Sequence, residues 1–258
     1  MGCFNPMGII ISMLNNNKRS SMGNFWNGCN VYTFGRIWDD AGFKMICIIP
    51  ARGGSERFPG KNIAPLFGQP IINHTIDICQ RSGLFTDIVV STDDQDIADK
   101  ISDKNVSIHI RPDYLKGDSD ESKVIECVMD FYGVTRACRV YPFACLLTPE
   151  RLQTGYARVV LRSPDAVMEC TEYDHPPQRA IDCNGHYCNP DLVMQRTQDL
   201  DLRMHDAGTF MFTTREALDK PLGERYIEWI PVPRIDVQDV DTAEDFEMLK
   251  LKFMRRML

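Results

Sequence analysis

Along most of the chain the apolar positions follow one of two periods, and the two periods take turns. Met45-Ile-Cys-Ile-Ile49 is a continuous apolar run that ends at Pro50. A run of this length bounded by a turn residue predicts a buried central strand of a parallel sheet. Ile71, Ile72, Thr75, Ile76 and Cys79 repeat at helical spacing, which predicts a helix there. The same reasoning predicts strands at Asp87–Ser91, Val106–Ile110, Ala137–Tyr141 and Asp165–Cys170. It predicts helices at Asp94–Ile101, Ser119–Phe131 and Thr148–Leu161. Thr148 is a candidate N-cap, with Pro149 at the first helical position. Alternation stops between Thr171 and His205, a stretch rich in Pro, Asn, Asp and Gln. It resumes with strands at Ala207–Thr213 and Glu228–Val232 and a short helix from Thr214. A last helix begins near Asp241, where Thr242 and Asp245 have capping-box spacing and Phe246, Leu249 and Phe253 share a face.

Strand–helix alternation of this kind predicts an α/β fold. The expected form is a Rossmann-like, mostly parallel sheet with helices on both faces. Residues 1–44 show neither period and are read as a poorly ordered N-terminal extension. Residues 45–258 form the expected domain, with an insertion at about 171–205.

Composition narrows the function classes. The chain has 258 residues, 43% hydrophobic and 25% charged, with a formal net charge of −7. Nucleic-acid readers carry the opposite sign on their binding face, so no nucleic-acid partner is expected. No run reaches the roughly 20 apolar residues that span a bilayer, so no membrane partner is expected either. None of the 10 cysteines is spaced Cys-x-x-Cys. They are read as free thiols of a reducing, cytoplasmic compartment.

The loop after the first strand, Ile49-Pro-Ala-Arg-Gly-Gly-Ser-Glu-Arg-Phe-Pro-Gly-Lys-Asn62, carries the strongest chemical signal. In an open α/β sheet, ligands bind outside the carboxyl ends of the strands. Gly53 and Gly54 let backbone N–H groups approach an anion. Arg52, Arg57 and Lys61 add positive charge, and Ser55 and Asn62 short hydrogen-bonding groups. The loop is an anion cradle, but it is neither a Walker loop nor the dinucleotide fingerprint. A second candidate site is Arg234-Ile-Asp-Val-Gln-Asp-Val-Asp241. Asp239 and Asp241, two apart in an extended segment, point the same way. They can share a Mg2+ with substrate phosphates, or Asp241 can cap the last helix.

Pro-Ala-Arg-Gly-Gly-Ser-x-Arg-x-Pro-Gly-Lys-Asn resembles the signature of the CMP-sialic acid synthetase group, the cytidylyltransferases that act on acidic sugars. The resemblance runs from Met45 to about Glu247. It includes Ser91-Thr-Asp-Asp94 and Arg111-Pro-Asp-Tyr-Leu115. Tyr173–Ala180, Arg196-Thr-Gln-Asp-Leu200 and His205-Asp-Ala-Gly-Thr-Phe210 are most similar to segments of the pseudaminic acid cytidylyltransferase branch. What the resemblance implies is activation of a nine-carbon acidic sugar by CTP in a Mg2+-dependent homodimer. It implies nucleotide contacts from Ala51, Arg52, Gly53, Gly54, Ser55, Lys61, Asn62, Arg111 and Ser122. Arg52, Lys61, Asp239 and Asp241 would be catalytic, and Asp239 and Asp241 would hold the metal. Gln178, Arg179, His205 and Asp206 would meet the sugar, Arg179 as a fork on its carboxylate. Arg179 and His205 are equally open to a role in subunit contacts.

The sequence also departs from that pattern. Glu56 stands where many such loops carry Lys, and would repel phosphate if it pointed inward. Tyr141-Pro-Phe-Ala-Cys145, Thr209 and Met211-Phe212 differ from the branch's usual residues. Three other readings keep parts of this pattern. They are a CMP-sialate or CMP-legionaminate synthetase, a glycosyltransferase of related architecture, and a catalytically silent nucleotide-binding homologue.

Overall fold

A computed structural model describes residues 45–257; the extension expected at 1–44 lies outside the described residues. The central element is a seven-stranded sheet in the order β5-β4-β1-β6-β8-β7-β9. Its strands are β1 (Ile46–Pro50), β4 (Asp87–Thr92), β5 (Ser107–Ile110), β6 (Arg136–Val140), β7 (Ala166–Glu172), β8 (Met204–Thr214) and β9 (Ile227–Pro231). A small ribbon of β2 (Pro65–Leu66) and β3 (Gln69–Pro70) lies apart from it. The pairs β5–β4, β4–β1, β1–β6 and β7–β9 are parallel. β8 runs antiparallel to both neighbours, β6 and β7, so the expected mostly parallel sheet carries one reversed strand.

Helices cover both faces. β1 shows why its sequence is apolar throughout. Cys47 and Ile49 face a core completed by Ile72 and Ile76 of helix α1 (Ile71–Arg81). Leu152 and Tyr156 of helix α4 (Pro149–Arg162) join the same core. Ile46 and Ile48 face the other core, with Ile125, Val128 and Met129 of helix α3 (Glu121–Tyr132). Helix α2 (Gln95–Asp99) begins at the Asp94 cap, and α5 (Arg215–Leu218) at the Thr214 cap. Thr148 caps α4, accepting from Arg151 N, with Pro149 just inside as expected. Buried Cys47 and Cys145 act as small apolar side chains, and every described cysteine is free.

The last helix, α6 (Ala243–Met257), packs Phe246 and Leu249 beside the loop after β6. Its start is a reciprocal capping box. Thr242 Oγ1 accepts from Asp245 N at 3.2 Å, and Asp245 Oδ2 accepts from Thr242 N at 2.8 Å. Asp241 is therefore relieved of the capping role the sequence left open. The stretch at 171–205 contains three 3-10 turns and one isolated bridge, Ile181 to Tyr187, and β8 starts at its end.

Gly155 shows how tightly the first core is filled. A Cβ there would lie 2.7 Å from Phe212 Cε2 and 2.8 Å from Phe210 Cε2, both side chains being almost fully buried. Ala normally stabilises a helix interior by about 1 kcal/mol over Gly. Overpacking a filled core costs about 1–3 kcal/mol, and neither ring has space to retreat. Gly155→Ala is therefore expected to destabilise the protein by a net ~0–2 kcal/mol, read as a lowered urea midpoint. A raised midpoint would contradict this packing.

Candidate active site

The carboxyl ends of β1 and its neighbours open onto a cavity of about 420 Å³. Arg52, Lys61, Asn62, Arg111, Asp206, Asp239 and Asp241 all line it. Residues separated by up to 189 positions in sequence are thus brought together. Ala51, Gly53, Gly54, Ser55 and Ser122 do not line the cavity: Ala51 and Ser55 are buried, and Ser122 sits in the first turn of α3 between the lining residues Glu121 and Val124.

Asp93 holds the loop in place. Its Oδ1 accepts from Gly53 N at 2.9 Å and its Oδ2 from Gly117 N at 2.8 Å, tying the β1 loop to the approach to α3. Burial works against this carboxylate's charge. The two N–H groups and the Arg111 charge outweigh it, so its pKa falls below the ordinary value. Gly53 is also held close to Asp94: an added Cβ would meet Asp94 Oδ2 at 2.2 Å. Sequence reasoning assigned this glycine to phosphate approach alone. Asn62 Nδ2 donates to Arg52 O at 2.8 Å, which closes the loop from the other side.

The cations are held by carboxylates. Arg52 pairs with Asp118. Lys61 Nζ donates to Val240 O at 2.9 Å and to Asp241 Oδ1 at 3.1 Å. Arg57 reaches Asp241 Oδ2 at 2.8 Å. Glu56, the loop's awkward residue, is exposed and does not line the cavity, so its charge is directed to solvent.

Asp239 and Asp241 are like charges in one wall. Burial and then the Asp241 charge push the Asp239 carboxyl up. Burial raises Asp241 too, but Lys61 and Arg57 prevail and lower it. Gly208 packs against Asp239: with φ of +63° it occupies a backbone region that favours glycine, and a Cβ there would sit 3.5 Å from Asp239 Cγ. Asp206 Oδ1 accepts from Gly208 N at 2.9 Å.

The remaining residues assigned to the sugar lie outside the cavity lining. Gln178 Nε2 donates to Asp201 O at 2.6 Å, and Arg179 Nη2 to Gln195 O, so both bind the 171–205 stretch to itself. His205 packs on Tyr173, with ring centres 4.7 Å apart. The altered Tyr141–Cys145 segment does reach the cavity. Tyr141 and Phe143 line it with stacked rings 5.3 Å apart. Burial, chiefly, pushes the Tyr141 phenol up to about 12.

Sequence reasoning missed Asp118, Ser119, Glu121 and Val124, which complete the lining. It also missed the buried Arg139 behind them. The helical period of 119–131 was the available signal: it places these residues where α3 meets the carboxyl ends of the strands.

Known proteins match this arrangement. The family model described as Cytidylyltransferase matches residues 46–180. Pseudaminic acid cytidylyltransferase of Campylobacter jejuni is 32% identical over 231 residues, covering 81% of this chain and 96% of its own. CMP-N,N'-diacetyllegionaminic acid synthase of Legionella pneumophila is 42% identical over 170 residues, 62% of this chain and 70% of its own. The solved structure of CMP:2-keto-3-deoxy-manno-octonic acid synthetase complexed with CTP overlays with a TM-score of 0.64 at 16% identity. It covers 83% of this chain and 100% of that one, and establishes a shared fold. With the loop after β1, the sheet order and a relative matched along nearly its whole length, the chain belongs to the cytidylyltransferase family of nucleotidyltransferases.

Proposed function

We propose that the protein joins CMP from CTP to a nine-carbon acidic sugar, pseudaminic acid, with release of pyrophosphate. The observation that carries this is the match to a pseudaminic acid cytidylyltransferase over 96% of that protein, with the loop and carboxylate pair meeting in one cavity. The triphosphate lies along the β1 loop. Arg52 and Lys61 neutralise charge at the α-phosphate and on the departing pyrophosphate. The anomeric hydroxyl gives up its proton to solvent as its oxygen bonds to the α-phosphorus and the bond to the β-phosphate oxygen breaks, releasing pyrophosphate. The chain's contribution is alignment and charge.

A Mg2+ fits the donor set. Arg52, Lys61 and Arg111 are the three cationic residues in the lining, against five carboxylates at Asp118, Glu121, Asp206, Asp239 and Asp241. A triphosphate would add more negative charge to an already acidic cavity. Among the described residues no group of three or more His, Cys, Asp or Glu forms a metal cage. Two carboxylates completed by phosphate oxygens and water suit magnesium. Asp239 and Asp241 would hold it. Bound there, it supplies Lewis-acid stabilisation of charge on the phosphate and sugar oxygens. Asp206 is the sugar-side residue nearest this chemistry in the lining. Gln178, Arg179 and His205 reach the sugar in this reading through the 171–205 stretch. Ile181, Tyr187, Met194 and Leu202 there are exposed and apolar, and we assign them to a homodimer contact.

Among the described residues no helix is long and apolar enough to cross a membrane. The test is incubation with CTP, Mg2+ and a panel of nonulosonic acids, with products identified by mass. CMP-pseudaminic acid is expected. The legionaminic acid synthase relative makes CMP-legionaminic acid the second reading. Nucleotide binding without product from any sugar would overturn the enzyme in favour of a silent homologue.

A further inference from the structure

The side of the cavity built by β5 and α3 has a different chemistry. Arg111 follows β5, Ser119 lies just before α3, and Glu121 and Val124 are in its first turns; all four line the cavity. Val124, almost fully buried, is apolar lining there, and Glu121 offers a carboxylate beside it. An ionised carboxylate only accepts hydrogen bonds.

Behind Glu121 stands Arg139. Its side chain is 4% exposed, and its Nε lies 3.0 Å from Glu121 Oε1. Neither Nε nor Nη1 has an aligned hydrogen-bond partner. The guanidinium carbon sits 3.8 Å from the Tyr141 ring centre. A buried guanidinium with one carboxylate partner is a costly arrangement for stability alone. Here it places a fixed positive charge behind a carboxylate that lines the cavity. That charge holds the Glu121 carboxylate in place, and the Tyr141 ring packed on the guanidinium limits its movement.

We propose that Glu121, positioned by Arg139, is the acceptor that reads the donor edge of the nucleotide base. It thereby selects the amino-bearing pyrimidine, cytosine, over the carbonyl-bearing uracil. The inference rests on the cytidylyltransferase reading above. A uracil carbonyl set against this carboxylate would leave two acceptors facing each other, the kind of mismatch that polar sites reject strongly.

The experiment compares kcat/KM for CTP and UTP in the wild type, Glu121→Gln and Glu121→Ala. The wild type is expected to prefer CTP. Glu121→Gln, nearly isosteric and able to donate to uracil, is expected to narrow the CTP/UTP ratio by at least ~10-fold. A simple packing role would lower both nucleotides alike and leave the ratio unmoved. A pyrimidine triphosphate lacking the 4-amino group provides a second readout. It should lose at least ~10-fold in wild-type affinity and lose little more in Glu121→Ala, because one contact is removed from both sides. An unchanged ratio, or additive losses in that pair, overturns the assignment of Glu121. Failure of the wild type to turn over CTP with any acidic sugar overturns instead the reading on which it rests.

Discussion

With Asp239 and Asp241 both changed to Asn, CTP-dependent pyrophosphate release is expected to fall by ~10³-fold or more, while the unfolding midpoint stays close to the wild type's. The activity loss follows from what the two side chains share. Both line the cavity, and both are assigned to one cation, so either alone is a poor site. Single replacements should each cost nearly as much as the pair, since groups acting on one ion are not additive. The fold is insulated. Thr242 and Asp245 cap α6 without Asp241's side chain. The Arg57 and Lys61 pairs to Asp241 involve a carboxylate that is 40% exposed, and such pairs contribute about 1 kcal/mol or less. A chelator should silence the wild type, and added Mg2+ should restore it. Wild-type turnover in the double variant would remove these residues from the metal site.

Much of this arrangement was legible in the sequence because it is local. A continuous apolar run, a glycine-containing basic loop and a helix-period stretch each declare themselves within about fifteen residues. The basic, glycine-containing character of the loop and the span of nearly every strand and helix follow from that. Three kinds of feature do not. The reversed direction of β8 depends on pairing with β6 and β7, which no local period encodes. Whether Asp241 caps the last helix depends on whether Asp245 reaches Thr242, and its partner Lys61 lies 180 residues away. Glu121 and Arg139 read as a helix charge and a strand charge. Only the crossing of α3 over the sheet brings them to 3.0 Å. Glu56 is a further case: its sign raised the question of phosphate repulsion, and its solvent-facing direction, which local sequence does not encode, answers it.

Arg151→Met is expected to be the most destabilising of the substitutions considered, at about 3–5 kcal/mol. Arg151 is the first-turn residue of α4 whose N–H meets the Thr148 cap. Its Nε donates to Glu169 Oε1 at 2.7 Å, and its Nη2 pairs with Glu169 Oε2. Its Nη1 donates to Leu146 O at 3.1 Å and to Asp236 O at 2.9 Å. Glu169 is 1% exposed and has one further donor, Thr209 Oγ1, at 2.6 Å. Removing the guanidinium strands a buried carboxylate and two carbonyl oxygens together. Breaking one side of such a pair costs far more than replacing both, because desolvation is no longer offset. Adding Glu169→Gln should therefore recover part of the loss, since a neutral amide retains the Thr209 contact without a buried charge. Urea unfolding of the single and double variants measures the difference. The cavity should respond as well. Asp236 O anchors the segment leading to Asp239, and Thr209 O accepts from Tyr141 N at 3.0 Å. The network thus holds both the floor and the carboxylate wall. A higher Mg2+ concentration for half-maximal activity in the single variant, measured well below its unfolding transition, is the expected signature. A double variant less stable than Arg151→Met would show that Glu169 is not the stranded charge.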